Sequence, residues 1–109
     1  MAKYLWQVSY TPQGAQGLQK DGGTARRAAV KRLTEQVGGK LECFYFALGE
    51  SDAYVIADLP DAKTAAAVSL AVNAAGAVRL RTVVLLTPEE VDASTKMSVD
   101  YRPPGAGTK

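Results

Sequence analysis

The residues best suited to chemistry lie at a predicted helix start, where two glycines precede two arginines. With about 100° between successive helical residues, Arg26 falls on the apolar side of that helix. A guanidinium held beside the free backbone N–H groups of a helix start can bind a carboxylate or a phosphate. The sequence therefore predicts an anion site at Gly22, Gly23, Thr24 and Arg26.

A second interpretation of the same residues needs no ligand. Arg26 would pair with a structural carboxylate, for instance that of Asp21, Asp52 or Asp58. The glycines would then only permit a turn between two elements. Many helices begin without binding anything, so the sequence leaves both interpretations open.

The composition removes several classes of chemistry. The chain contains no histidine, which excludes histidine triads, histidine bases and nearly every zinc site. Its one cysteine, Cys43, cannot form an intrachain disulfide, and we expect it to be a small buried side chain. A general base would have to be a tyrosinate or a carboxylate, and Asp52 and Asp58 are the carboxylates we consider. We expect no metal and no cofactor.

Charge and hydropathy limit the classes of binding partner that we expect. The formal net charge is +2 over 109 residues, which gives little reason to expect nucleic-acid binding, even with Arg79 and Arg81 on one strand. No apolar run approaches the ~18 residues of a membrane span, and the first residues lack the pattern of a secretory leader. We therefore expect a cytoplasmic protein that binds neither nucleic acid nor membrane.

The elements that must position these residues follow from periodicity and turn signals. In chain order we predict a strand over 4–11, a broken helix or loop over 12–23, a helix capped by Thr24 and ending at Gly38, strands over 40–48 and 53–59, a helix from its cap at Asp61 to Gly76, a strand over 77–86, and a short helix from a capping box at Thr87 to about Met97. Residues 1–98 form one domain in this scheme, and 99–109 form an extended tail rich in proline and glycine.

This order predicts an α+β fold, the ferredoxin-like βαββαβ arrangement with an antiparallel four-stranded sheet and an added C-terminal helix. Right-handed crossovers place both main helices on one face of the sheet. Large side chains such as Trp6, Tyr45 and Ile56 occur on both faces of the predicted strands. Since a solvated sheet face should be polar, we expect a homodimer in which a second copy covers the open face.

Four segments carry a family resemblance: Tyr10-Thr11, the run 20–27, the run 44–49 into the hairpin, and the run 86–90. Together they resemble the GYD domain proteins, a family of small bacterial proteins similar to the dimeric α/β barrels. The resemblance covers roughly residues 3–104. The motif that names the family is altered, because Gly49-Glu50-Ser51-Asp52 has Ser51 where the family has tyrosine. The resemblance implies the fold and a dimer, and it implies no reaction.

Dimeric α/β barrels can hold an apolar ligand between the sheet and the helices. By this resemblance, Tyr10, Tyr54, and Phe44 or Phe46 would line such a cavity. Ordinary core packing of aromatic residues on strands explains the same cluster without a ligand. Asp52 would then be an acid close to the cavity.

Two functions remain in view. In the first, Arg26 and the glycine backbone hold the anionic end of a small, partly aromatic molecule, either in a binding protein or in a cofactor-free enzyme. In the second, the chain is a structural or interaction module whose main activity is homo-oligomerisation, with the tail over 101–104 reaching over a neighbouring subunit.

Overall fold

The structure is a computed structural model that describes residues 1–105. Eight elements follow one another in these residues: β1 (Ala2–Tyr10), α1 (Pro12–Asp21), α2 (Gly23–Gln36), β2 (Lys40–Phe46), β3 (Ala53–Leu59), α3 (Ala62–Ala75), β4 (Val78–Leu85) and α4 (Pro88–Thr95). The predicted tail is described as far as Gly105, and residues 106–109 lie outside the described part.

The four strands form one antiparallel sheet in the order β2-β3-β1-β4. This topology confirms the predicted ferredoxin-like fold. The central strand β1 places Trp6 opposite Val55 of β3 and Thr82 of β4. Tyr4 and Val8 lie on the same face as Trp6 because side chains alternate along a strand, and all three are buried. Burial of each such side chain stabilises the fold by about 1.5–3 kcal/mol.

Helices α2 and α3 cover this face. Val30 and Leu33 of α2 and Val68 and Val72 of α3 approach Trp6 from above the sheet. The bounds of α3 confirm the predicted signals, since the Asp61 side chain accepts a hydrogen bond from the Thr64 N–H and Gly76 ends the helix in the left-handed conformation. The buried core comprises Tyr4, Trp6, Val8, Ala53, Val55, Ala57, Leu59, Ala65, Val68 and Val78.

The first crossover differs from the prediction. Residues 12–21 form a regular helix, α1, whose N-cap is Thr11 and whose first residue is Pro12. The predicted cap at Thr24 is wrong, because the N-cap is Gly22, two residues earlier, at a φ of 87°. Glycine adopts this backbone conformation without strain, so Gly22 joins the two helices directly.

Strand β2 contains a bulge that the alternation of its side chains did not indicate. The register shifts between Leu41 and Cys43, and a bulge turns the following residues to the other face. Leu41, Phe44 and Phe46 therefore face the helices, while Cys43 and Tyr45 face the open side. Cys43 is half-buried, which corrects its prediction as a buried core residue. The strand ends at Phe46, two residues earlier than predicted.

The open face of the sheet is mixed in character. Tyr45, Tyr54 and Ile56 lie on it, together with Val83 and the two arginines of β4. Tyr4 and Trp6 lie on the covered face and are already buried. The prediction that a second copy covers the open face therefore depends on fewer apolar side chains than the sequence indicated.

The C-terminal segment projects from the domain. Thr87 and Glu90 form the predicted capping box, and α4 follows it. Every residue from Pro88 to Gly105 is exposed. The described chain is correspondingly elongated, with extents of 65 × 29 × 24 Å. We call residues 87–105 the arm.

Candidate functional site

A groove of about 310 Å³ opens between α1, α2 and the first residues of β4. Its polar lining consists of Tyr10, Gln13, Asp21 and Arg26, and small residues form much of the remainder. We call this space the groove.

The groove forms because the first residues of α1 are hydrogen-bonded to the residues that precede β4. The Thr11 hydroxyl donates to the carbonyl oxygens of Gly76 and Ala77 at 2.9 and 3.0 Å and accepts from the Gly14 N–H at 3.2 Å. Gly14 packs so closely that a Cβ there would lie 1.8 Å from the Ala77 carbonyl oxygen. One turn later, a Cβ on Gly17 would meet nothing within 4 Å, so the groove opens at that point.

Arg26 supplies the positive charge of the groove. It is half-buried, and within residues 1–105 its guanidinium forms no ion pair with a carboxylate. Asp58 pairs instead with Lys3 at 3.0 Å on the open face, and Glu42 binds the same lysine. Asp21 lines the groove without reaching Arg26. The structure thus lacks the arginine–carboxylate pair of the second sequence interpretation.

Tyr10 lies where the end of β1 meets the groove. Burial raises the pKa of its hydroxyl, the nearby Arg26 guanidinium opposes that rise, and Asp52 adds to it. The hydroxyl oxygen is buried close to the Arg26 guanidinium, and among residues 1–105 it makes no hydrogen bond of normal geometry. At neutral pH, Tyr10 therefore presents an O–H group that can donate to a ligand.

A smaller cavity of about 40 Å³ lies deeper, between the sheet and the two main helices. We call it the inner cavity. Tyr10, Arg26 and Val78 line both it and the groove. Trp6 also lines the inner cavity; it is 2% exposed, and within the described part of the chain its indole Nε1–H has no acceptor. Apart from these polar groups, the walls are apolar.

The structure does not bring all predicted site residues together. Gly23, Thr24 and Phe46 line a separate pocket of about 250 Å³ beside Arg27, whereas Arg26 points to the groove. Gly22 joins α1 to α2 and lines neither space. The predicted anion-binding residues are therefore divided between two pockets.

The predicted aromatic set is also divided by the sheet. Tyr54 lies on the open face, opposite Gln7 and Tyr45, and is 37% exposed. Phe44, the alternative to Phe46, lines the inner cavity. Alternation along β3 explains the result, because the side chains that flank Tyr54 occupy the helix-covered face.

Asp52 has a structural contact. Its Oδ2 accepts a hydrogen bond from the Tyr10 backbone N–H at 2.8 Å, and its own N–H donates to the Val8 carbonyl oxygen at 2.7 Å. The carboxylate therefore fixes the backbone of Tyr10.

Sequence reasoning overlooked Trp6 as a site residue and also the groove-lining Gly14 and Gly17. A signal for Trp6 was present, because Trp6 and Tyr10 are four residues apart on one strand and so share a face. The role of Gly14 had no local signal, since it depends on the distant Ala77.

Residues 1–105 contain no group of three or more Asp, Glu or Cys side chains arranged to hold a metal ion. Among their helices, none combines the length and the hydropathy that a bilayer crossing requires.

Comparison with known proteins gives one match. The family model of the GYD domain matches residues 4–94. Neither the curated proteins nor the solved structures include a significant match to the chain.

Proposed function

The chain belongs to the GYD domain family, and from the geometry of its groove we propose that it is a cytoplasmic protein that binds a small anionic molecule. The observation that carries this proposal is Arg26, a half-buried guanidinium that lines a groove of about 310 Å³ without a carboxylate partner in residues 1–105. The ligand's carboxylate or phosphate would bind this guanidinium.

A buried or half-buried charge is stabilised when it gains an opposite charge and hydrogen bonds. Arginine presents a planar fork of donors that matches a carboxylate or phosphate in two parallel hydrogen bonds. Gln13 and Tyr10 add uncharged polar groups along the same groove. These three side chains favour a ligand with one anionic group and a few polar atoms beside it over a highly charged ligand.

The rest of the ligand would be small and partly apolar. Leu18, Ala25, Ala29 and Val78 supply the apolar part of the groove. A volume of about 310 Å³ lies at the lower end of the range for small-molecule sites, which is about 300–1,000 Å³.

The test is calorimetric titration of the protein with small carboxylates and with inorganic phosphate. Arg26→Met keeps an apolar stem and removes the charge, and we expect it to weaken binding about tenfold or more, as for loss of a charged hydrogen bond. Arg27→Met is the matched control, because Arg27 is exposed and lines other pockets. Equal binding by wild type and Arg26→Met, or no binding by wild type, would contradict the proposal.

Catalysis without a cofactor would depend on few groups. Asp52 is engaged with backbone, Asp58 pairs with Lys3, and the chain has no histidine. The Tyr10 hydroxyl is the proton-transfer group that lies between groove and inner cavity. Because burial raises its pKa, Tyr10 would act as an acid at neutral pH.

A second proposed function, self-association, is supported by the open face of the sheet. Tyr45 is 70% exposed there and lies beside Tyr54, while Val83 is also exposed. Exposed aromatic residues on a sheet face are typical of interfaces. Light scattering coupled to size exclusion tests this proposal with Tyr45→Lys, and Leu70→Lys on an exposed helix position is the control. A monomeric wild-type protein at micromolar concentration would contradict it.

A further inference from the structure

We propose that the ligand is a short oxo acid, whose carboxylate binds Arg26 in the groove. Its uncharged carbonyl oxygen would enter the inner cavity and accept hydrogen bonds from the Trp6 indole N–H and the Tyr10 hydroxyl. The inference rests on the proposed function, and it adds a second recognition point and a ligand chemistry.

The first observation is the unpartnered donor of Trp6. This side chain is almost completely buried, and its Nε1–H has no acceptor among residues 1–105. A buried N–H without a partner loses its hydrogen bonds to water with nothing in return, so such groups normally have an acceptor. Trp6 lines a cavity, which gives an acceptor a place to sit.

The second observation is the position of Tyr10 and Arg26. Both residues line the groove and the inner cavity, so a ligand anchored at Arg26 has direct access to the deeper space. The Tyr10 hydroxyl is buried at this junction close to the Arg26 guanidinium, and among residues 1–105 it makes no hydrogen bond of normal geometry. The two buried donors therefore belong to residues that line one cavity.

The chemistry of these groups favours a carbonyl over water. Indole and guanidinium nitrogens donate only, and Tyr10 is the one lining side chain that can also accept. A water molecule in the cavity would have two hydrogens of its own to place and needs two to four polar partners. A carbonyl oxygen accepts two hydrogen bonds and brings no hydrogen, so it fits a site made mainly of donors.

The size of the cavity limits the group that enters it. About 40 Å³ exceeds the ~10–15 Å³ that one water molecule requires. The space suits a carbonyl with a methyl or methylene beside it rather than an aromatic ring. Val30, Phe44 and Val72 would pack against that carbon.

The experiment compares oxo acids with saturated acids of the same chain length on wild-type protein. The pairs are pyruvate with propionate, acetoacetate with butyrate, and levulinate with valerate. We expect at least one oxo acid to bind about threefold to tenfold more tightly than its partner, as for one or two uncharged hydrogen bonds. Trp6 is the only tryptophan, so heteronuclear NMR shows a single indole resonance, whose proton should move downfield only with the oxo acid.

Two variants test which side chains cause the preference for the oxo acid over the saturated acid. Trp6→Phe and Tyr10→Phe each remove one donor, and we expect each to reduce the ratio of oxo-acid affinity to saturated-acid affinity. Far-ultraviolet circular dichroism establishes that each variant is folded. If Trp6→Phe fails to fold, Tyr10→Phe and the wild-type indole resonance still decide the question.

The outcomes separate this inference from the proposed function. Saturated acids that bind through Arg26, with no gain for oxo acids and an unmoved indole resonance, would overturn the inference and leave the anion site intact; the cavity would then hold water only. Absence of binding by every acid would overturn both proposals.

Discussion

Asp52 Oδ2 accepts a hydrogen bond from the backbone N–H of Tyr10 at 2.8 Å. The contact joins the turn before β3 to the last residue of β1. It holds Tyr10 at the junction of the groove and the inner cavity. One carboxylate thus positions a residue that lines both proposed binding spaces.

We expect Asp52→Ala to destabilise the protein by about 1–3 kcal/mol, because the partly buried Tyr10 N–H loses its acceptor. Asp52→Asn keeps an acceptor oxygen and should cost less. Urea unfolding measures both. Equal stability of wild type and Asp52→Ala would show that the bond contributes nothing to the fold.

Gly14 and Gly17 give a matched pair of tests on one helix. We expect Gly14→Ala to destabilise the fold by about 1–3 kcal/mol, because its Cβ would lie 1.8 Å from the Ala77 carbonyl oxygen and α1 must move away from β4. Gly17→Ala meets nothing and should stabilise the helix by about 0.5–1 kcal/mol. Thermal unfolding compares the two, and similar melting temperatures would contradict the close approach.

Asp21 weakens the anion site in the present arrangement. It lines the groove with Arg26, and its negative charge repels the proposed ligand. We expect Asp21→Asn to raise affinity for a small carboxylate about twofold to fourfold at low salt, with a smaller gain at high salt. Asp92→Asn on α4 is the control for net charge. An equal gain in the two variants would show that Asp21 has no local effect.

The pKa of Tyr10 gives a prediction for alkaline pH. Burial raises this pKa above the ordinary value of about 10, so folding favours the protonated hydroxyl. Its contribution to stability is fully present below pH ~10 and is lost as pH rises through the folded-state pKa. Lys3, whose pKa is also raised, titrates in the same direction.

The difference between wild type and Tyr10→Phe isolates Tyr10, because Lys3 is common to both. Absorbance of tyrosinate across the alkaline range should show one late-titrating tyrosine that the variant lacks. The stability of wild type relative to Tyr10→Phe, measured by urea unfolding, should fall as pH rises through that transition. A titration curve of normal midpoint for the missing tyrosine would contradict the burial of its hydroxyl.

Local signals explain what could be predicted from the sequence. Asp61 and Gly76 mark the ends of α3, and Thr87 with Glu90 starts α4, because capping depends on residues within one turn. Alternation along β3 also separates Tyr54 from Val55, so the position of Tyr54 on the open face could have been predicted.

Long-range packing explains what could not be predicted. The bulge between Leu41 and Cys43 depends on pairing with β3. The position of α1 depends on contact between Gly14 and Ala77, which are far apart in the chain. The same applies to Arg26: its helix face was predictable, but the absence of an ion pair depends on where Asp52 and Asp58 find other partners.

The arm gives the last prediction, which tests self-association. All of its residues from Pro88 to Gly105 are exposed, including Met97, Val99 and Tyr101, so it adds little to the stability of its own domain. Helix α4 carries Glu89, Glu90 and Asp92, while the open sheet face carries Arg79 and Arg81. These opposite charges are compatible with an arm that lies across the sheet of a second copy.

We expect truncation after Leu86 to leave the melting temperature of the dilute protein nearly unchanged and to lower its mass at micromolar concentration. Truncation after Ser98 keeps α4 and should have a smaller effect on mass. Arg81→Glu should weaken association in the full chain, because it places like charges opposite each other. Light scattering measures each mass. An unchanged mass in all three variants would exclude the arm from any assembly, and a large drop in melting temperature would show that it packs on its own domain.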